Sequence, residues 1–376
     1  MKHKFSFINT RLHKIRRTHL YRKLVSNRVS GPHIIIRGKR LINLSSNDYL
    51  GLGSTKISIM QAQSSSRLVA GNDRLFDNLE KKLARHKSQE SALIFPTGYM
   101  ANLGIVSILP QKDDLILSDE LNHASIIDSC KLSQARKIIY KHNTMKDLEE
   151  KLKKRSSCKF VITEGIFSMN GDFARLLEIS ELCQKYDALL ILDDAHGDFV
   201  VGHDGQGSAD HLGISNKVDV YTSSLSKALG AFGGYIASKR QIIDLAVNTS
   251  RPFIYTSALP NFIVKSALEK FSSNREEKRK KLWKNVEHFR RGLESIGYLI
   301  RSESQIMPII IGNEKRTLEF GKYLFDNGVF AQPIRYPTVS LGSARIRISV
   351  TALLTKDIIS KTFDVFEKAG KKFGIL

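Results

Sequence analysis

No aspartate or glutamate occurs before Asp48, although the chain opens MKHKFSFINTRLHKIRRTHLYRKL, a stretch dense in lysine and arginine. Such an acid-free basic start has two readings, an organellar transit segment over about the first 20 residues or a basic arm that draws in anionic substrates. No uninterrupted apolar run reaches the roughly 18 residues that a membrane-spanning helix needs. The 3 cysteines, Cys130, Cys158 and Cys183, show no CxxC spacing, which fits neither a disulfide framework nor a structural zinc and points to a reducing compartment, the cytoplasm. Also missing are a GxxxxGK[ST] phosphate loop, a GxGxxG after the early strands and an HExxH, so nucleotide hydrolysis, dinucleotide redox and zincin chemistry lose their usual markers. There is no internal repeat, no Pro-rich linker and no low-complexity block.

What is present fits a folded chain of 376 residues with 41% hydrophobic content, long enough for one large α/β domain and a smaller partner. From about residue 90, short apolar runs alternate with longer amphipathic stretches, the mark of repeated β-α units around a mostly parallel sheet. The pattern predicts strands at Ala92–Phe95, Asp114–Leu117, Arg136–Tyr140, Phe160–Thr163, Leu189–Leu192, Val218–Thr222 and Tyr235–Ala237. Helices are predicted at Ala101–Leu109, Ala124–Leu132, Thr144–Lys154 and Ala174–Tyr186. After about residue 275 come a basic helix with Leu282, Trp283, Val286 and Phe289 on one stripe, a strand at Ile306–Ile311, a helix near Arg316–Asn327 and a strand at Ala344–Val350. The division expected is a basic arm over 1–45, a large domain over 46–275 and a smaller α+β domain over 276–376.

Open parallel sheets bind ligands beyond the carboxyl ends of their strands, so strand-end residues carry the most information. In ILDDAHGDF, Asp193 and Asp194 follow an apolar run; Asp193, His196, Asp198 and His203 suit a metal site, and the acids equally suit a helix cap. In VYTSSLSKALGAFGGY, Lys227 lies past the next strand in a turn of small residues that lets a planar ligand approach the backbone. A buried carboxylate followed by such a lysine suits a pyridinium ring carrying an aldehyde, because the ring nitrogen wants an acid and the aldehyde an amine.

The motifs extend this pattern. LSSNDYLGLG (44–53), SRLVAGN, FPTGYMAN, NHASIID, TEGIFSMNGD, DDAHGDF, SLSKALG and ARIRISVTA (344–352) occur in this order. In that order they resemble the α-oxoamine synthase family of fold-type I pyridoxal-phosphate enzymes, over nearly the whole chain. The resemblance implies an α/β transferase fold, with a large domain built on a mostly parallel seven-stranded sheet and a smaller C-terminal α+β domain. It implies pyridoxal 5'-phosphate as cofactor, no metal, and a homodimer. Within the family the chain looks most like the branch that condenses L-alanine with a pimeloyl thioester, on CoA or a carrier protein, with loss of carbon dioxide. Sister branches of the glycine acetyltransferase kind share the same catalytic residues.

By the same resemblance Lys227 anchors the cofactor and shuttles the substrate Cα proton, Asp193 faces the ring nitrogen, His196 bonds the phenolic oxygen and His123 stacks on the ring. Alone, His123 reads as a capping or surface histidine. Gly98 and Tyr99 match a phosphate-binding turn, Ser168 and Ser224 lie by the cofactor, Glu164 shares the turn of Ser168, and Thr256 matches a phosphate-binding hydroxyl lent by the second subunit. Asn47 and Arg347 match the holders of the amino-acid carboxylate, though Arg347 alone reads equally as an outward residue of an alternating strand; Arg22 is the candidate for the acyl substrate. The chain departs from the family's usual residues at Ser224 for threonine, Asn170 for aspartate and Ser65 for glycine. The net charge of +22 motivates a rival reading as a nucleic-acid binder, but the charge is not gathered into any reading motif. Neither nucleic acid nor membrane is expected as a partner.

Overall fold

A computed structural model describes residues 6–54 and 64–376; the first five residues of the predicted basic arm lie outside the described residues. The chain forms two compact units, one of Asn47–Ser168 with Asp172–Arg279, the other of residues up to Ser46, Met169–Gly171 and Lys280–Leu376. The described residues of the expected arm over 1–45 fall in the second of these units.

The larger unit is built on a seven-stranded sheet. Its strands are β1 (Ser91–Phe95), β2 (Leu115–Asp119), β3 (Arg136–Tyr140), β4 (Lys159–Glu164), β5 (Ala188–Asp193), β6 (Val220–Ser224) and β7 (Gly234–Ser238). They lie in the order β1-β7-β6-β5-β4-β2-β3, with β7 antiparallel to both of its neighbours and the remaining pairs parallel. Strands buried on both faces read as continuous apolar runs, as β1 and β2 do. The core beneath the sheet joins Leu93, Phe95, Ile116, Ile162, Ile191, Val220 and Ile236 to Ile105 and Val106 of the helix Gly98–Val106.

Three helices bear on the site. Helix α1 (Arg74–His86) is capped by Asp73, whose carboxylate accepts from Leu75 N at 2.8 Å, and buries Phe76, Leu79 and Leu83. Helix α2 (Gly98–Val106) starts three residues before the predicted Ala101, because the Thr97 hydroxyl caps it by accepting from Met100 N at 3.1 Å. Gly98 and Tyr99 thus form its first turn. Helix α3 (Ala124–Leu132) keeps its predicted bounds and is capped by His123. Strand β6 runs on to Ser224, past the predicted Thr222, since the hydroxyl of Ser223 is satisfied by the Asp198 carboxylate at 2.7 Å.

The smaller unit carries elements for which the pattern before residue 90 gave no assignment. A helix, Ser6–Arg17, precedes strands Asn27–Ser30, His33–Ile36 and Lys39–Asn43, which are joined in a four-stranded sheet by Val329–Phe330. A second sheet, antiparallel, orders Ile306–Gly312, Ala344–Ser349 and Gln332–Ile334. The basic helix spans Glu276–Ser295 and buries Leu282, Val286, Phe289 and Leu293 together with Asn285, whose amide donates to the carbonyls of Thr351 and Leu354 at 2.9 Å each. Among the described residues, no helix is long and apolar enough to cross a membrane.

Candidate active site

The parallel register aligns Glu164 with Asp193 and Asp193 with Thr222, placing three polar side chains in a row at the ends of β4, β5 and β6. Asp193 is buried and held from two sides. The Asn102 amide donates to its Oδ2 at 2.6 Å, and the Ala195 backbone N–H donates to Oδ1 at 3.0 Å. Asn102 is itself fixed, since its carbonyl oxygen accepts from the Thr222 hydroxyl at 2.6 Å and its amide reaches the Ser125 hydroxyl at 2.9 Å. The carboxylate is thereby fixed in one orientation, as a charge meant for a ligand atom must be.

Lys227, half-buried in the turn after β6, brings Nζ to 2.8 Å from His196 Nε2. The other imidazole nitrogen, Nδ1, is 2.8 Å from the Tyr49 hydroxyl, and that hydroxyl donates to the Asn47 amide oxygen at 3.2 Å. The Asn47–Gly53 turn that presents these groups is tied by Asp48, whose carboxylate accepts from Leu52 N at 2.8 Å and Gly53 N at 2.9 Å. Gly230, at φ +64°, closes the loop of Lys227 against this turn, where a Cβ would lie 2.6 Å from Gly53 N. The motifs NDYLGLG and SLSKALG, far apart in the chain, thus share one backbone contact.

His123 caps α3 through Nδ1, which accepts from Ser125 N at 3.2 Å, while its ring stays exposed. Desolvation lowers its pKa, and the Lys227 charge adds to this against the attraction of Asp193, so the three groups lie within electrostatic reach of one another. Glu164 also feels Asp193 and Lys227; burial and the neighbouring Asp193 push its carboxyl up to about 8. Its Oε2 accepts from Ser168 N at 3.2 Å, whereas Oε1 has no hydrogen-bond partner among the described residues.

Gly98 meets Ser224, where a Cβ on the glycine would come 3.0 Å from the serine Cβ, and Gly234 presses on the Gly98 nitrogen at 2.4 Å by the same measure. The start of α2 is thus seated tightly on the sheet, and a helix start is a favourable place for a phosphate. The Ser224 hydroxyl pairs with that of Ser226 at 2.8 Å. Tyr99 leaves its ring exposed and donates its hydroxyl to Asp128. Thr256 is half-buried after the short helix Arg251–Ile254. Arg347 and Arg22 belong to the other unit. Arg347 is buried and donates to the Ser349 hydroxyl at 2.9 Å, which answers the outward-facing reading; Arg22 is exposed and donates to the Tyr336 carbonyl at 2.8 Å.

The metal reading of Asp193, His196, Asp198 and His203 fails on placement. Asp198 is committed to Lys87, at 2.9 Å, and to Tyr235, and His203 lies out at the surface, so the four do not converge. Beyond Lys227, Asp193, His196 and His123, the site depends on Tyr49, Asn102 and Thr222, which sequence reasoning did not single out. Tyr49 and Asn102 stood inside quoted motifs, but nothing in their spacing told that a hydroxyl and an amide would orient the two charged groups.

An amine and a fixed carboxylate in one cluster, a glycine-tight helix start for an anion and an orphaned buried carboxyl oxygen all fit a pyridine ring bearing an aldehyde and a phosphate. The fold and this site together define a fold-type I transferase dependent on pyridoxal phosphate. The aminotransferase class I and II family is matched over residues 39–365, and the chain belongs to it. It is 43% identical over 391 aligned positions to 8-amino-7-oxononanoate synthase of Thermoanaerobacter pseudethanolicus, covering 100% of this chain and 99% of that one. Among solved structures, serine palmitoyltransferase of S. paucimobilis with bound PLP and myriocin superposes with a TM-score of 0.92 at 26% identity, covering 99% of both chains. The 8-amino-7-oxononanoate synthase of Francisella tularensis superposes with a TM-score of 0.76 at 29% identity, covering 88% of this chain and 98% of that one.

Proposed function

We propose that the chain condenses L-alanine with pimeloyl-CoA, or with the same acyl group on a carrier protein, to give 8-amino-7-oxononanoate, carbon dioxide and the free thiol. The observation that carries the chemistry is the Lys227 amine held at 2.8 Å from His196 in the cluster that also fixes Asp193. The choice of alanine and a pimeloyl group rests on the full-length relative at 43% identity.

Pyridoxal phosphate, when bound, supplies an electron sink for the charge left at the substrate Cα. Lys227 would hold it covalently, and its Nζ would be the base for the substrate Cα proton. His196 would hydrogen-bond the ring's phenolic oxygen, and Asp193 would favour a positive charge on the ring nitrogen. His123 would cover the ring, Ser168 and Ser224 would lie beside it, and Gly98 with Tyr99 would offer the amides of a helix start to the phosphate. On the larger unit Asn47 would take the amino-acid carboxylate. The working form is a homodimer in which Thr256 of each subunit serves the other's phosphate site. We place the reaction in the cytoplasm, a reading supported by the cysteines, which are free thiols.

A second reading, with serine or glycine in place of alanine, is favoured by the close superposition on serine palmitoyltransferase. Thiol release from pimeloyl-CoA with alanine, and none with glycine or serine, is the expected result. Turnover with serine and a long-chain acyl-CoA would replace the first reading by the second. A cofactor-loaded monomer in light scattering at micromolar concentration would refute the shared site.

A further inference from the structure

The larger unit also holds a cavity of about 410 Å³, and none of its lining residues is among those assigned to the reaction. Its walls carry two pairs of cations. Lys82 and Arg85 stand three residues apart on α1, and Arg275 and Arg279 four apart, where the Arg279 amide closes a helical turn on the Arg275 carbonyl at 2.9 Å. Residues at these spacings share a helix face, so each pair sets like charges side by side, at a cost in stability. Of the four, Arg279 alone is in an ion pair among the described residues, with Glu276 at 2.7 Å. The other acid of the lining, Asp204, has 73% of its side chain exposed to water, which screens its charge. Lys82, Arg85 and Arg275 are thus left facing one cavity with little to offset them.

Two of these cations are held in place. Arg275 lies 4.9 Å and Lys82 5.7 Å from the ring centroid of Phe271, and Phe199 meets Arg275 at 5.5 Å. Phe271 is braced edge-on by His86, with centroids 5.4 Å apart. Nη1 of Arg275 donates to the Lys270 carbonyl at 3.3 Å, while its buried Nε has no hydrogen-bond partner among the described residues. Burial lowers the Arg275 pKa against the attraction of Asp198, and the Arg279 charge adds to the lowering, a penalty that a bound anion would relieve.

We propose that this cavity binds a small anion bearing phosphoryl groups, gripped by the guanidiniums of Arg85 and Arg275 and the ammonium of Lys82. A guanidinium fork matches two phosphoryl oxygens at once, and an ammonium adds a point charge beside it. The volume lies within the roughly 300–1,000 Å³ of small-ligand pockets, and a diphosphate supplies the charge that three cations call for, which a single carboxylate does not. This site stands apart from the proposed function and survives its failure.

The test is calorimetric titration of the cofactor-loaded full chain with pyrophosphate, so that the cofactor's own phosphate seat is already filled. At about 0.15 M salt, charges farther apart than about 8 Å are largely screened, and diffuse attraction to a basic surface is suppressed. Wild type is expected to bind one pyrophosphate per chain. Arg85 is exposed on α1, and Arg85→Glu should weaken binding by about tenfold or more. Lys112→Glu makes the same change of charge at an exposed site outside the lining, and should shift Kd by less than about twofold. Should the reversal at Arg85 misfold, Arg85→Gln is the milder variant, with a loss in the same direction. Displacement of pyrophosphate by ADP would identify the diphosphate as that of a nucleotide, and its retention would identify the free anion. Absence of saturable binding in wild type overturns the inference before any variant is made. Equal weakening by Arg85→Glu and Lys112→Glu overturns it too, since the attraction would then belong to the whole basic surface.

Discussion

His142 is clamped between two carboxylates, and its removal has a calculable, pH-dependent cost. Its Nδ1 donates to Asp119 at 2.9 Å and its Nε2 to Asp172 at 2.7 Å, so both nitrogens carry protons and the ring is an imidazolium. The edge of Phe167 closes over it, with centroids 4.4 Å apart. Burial by itself pulls the pKa down, but the two acids overcome it and hold the group up at about 9 from its ordinary 6.5. That shift corresponds to roughly 3 kcal/mol of folding stability, at about 1.4 kcal/mol per pH unit. Because the folded value is the raised one, the stabilisation is full below about pH 6.5, declines as pH rises, and is gone above about pH 9. His142→Ala should therefore be less stable than wild type by about 2–3 kcal/mol near pH 6 in urea unfolding, with the gap closing toward pH 9.5 to the small packing loss against Phe167. A gap of constant size from pH 6 to 9.5 would refute the imidazolium clamp. The turn it pins runs to Asp172 and includes Ser168, so the site should loosen over the same interval.

Lys227→Ala should abolish the borohydride-sensitive yellow absorbance and slow deuterium exchange at the alanine Cα by 10² to 10⁴ or so; exchange at the wild-type rate would mean that another group is the base. Asp193→Asn should keep the lysine-linked cofactor but lose roughly a thousandfold in turnover, about 4 kcal/mol of charge stabilisation, and near-normal turnover would refute the electron-sink role. Lys87 has its side chain fully buried between Asp194 and Asp198, 2.9 Å from each, and their charges raise its pKa although burial opposes this. Lys87→Met leaves two carboxylates uncompensated and should cost about 3–5 kcal/mol in urea unfolding; a loss under about 1 kcal/mol would show that the pair is not charged.

The sequence by itself determined the repeated β-α units, because strands buried on both faces must read as apolar runs and their helices as amphipathic stretches. Ala124–Leu132 was legible to the residue, and all the predicted strands of the large sheet overlap observed ones. Strand-end position picked out Asp193 and Lys227 as candidates, whereas the roles of His196 and His123 came only from the resemblance of the motifs to the family. Elements before residue 90 were illegible, their strands being as short as four residues and half-exposed, with Gly31 and Gly38 turning the chain between them. Only the tertiary structure decided which polar groups serve the reactive ones. Tyr49 reaches His196 across 147 residues of chain, and Asn102 reaches Asp193 across 91. A hydrogen bond at 2.6–2.8 Å depends on where strand register and turns bring two atoms, and no local pattern records a partner that distant in sequence.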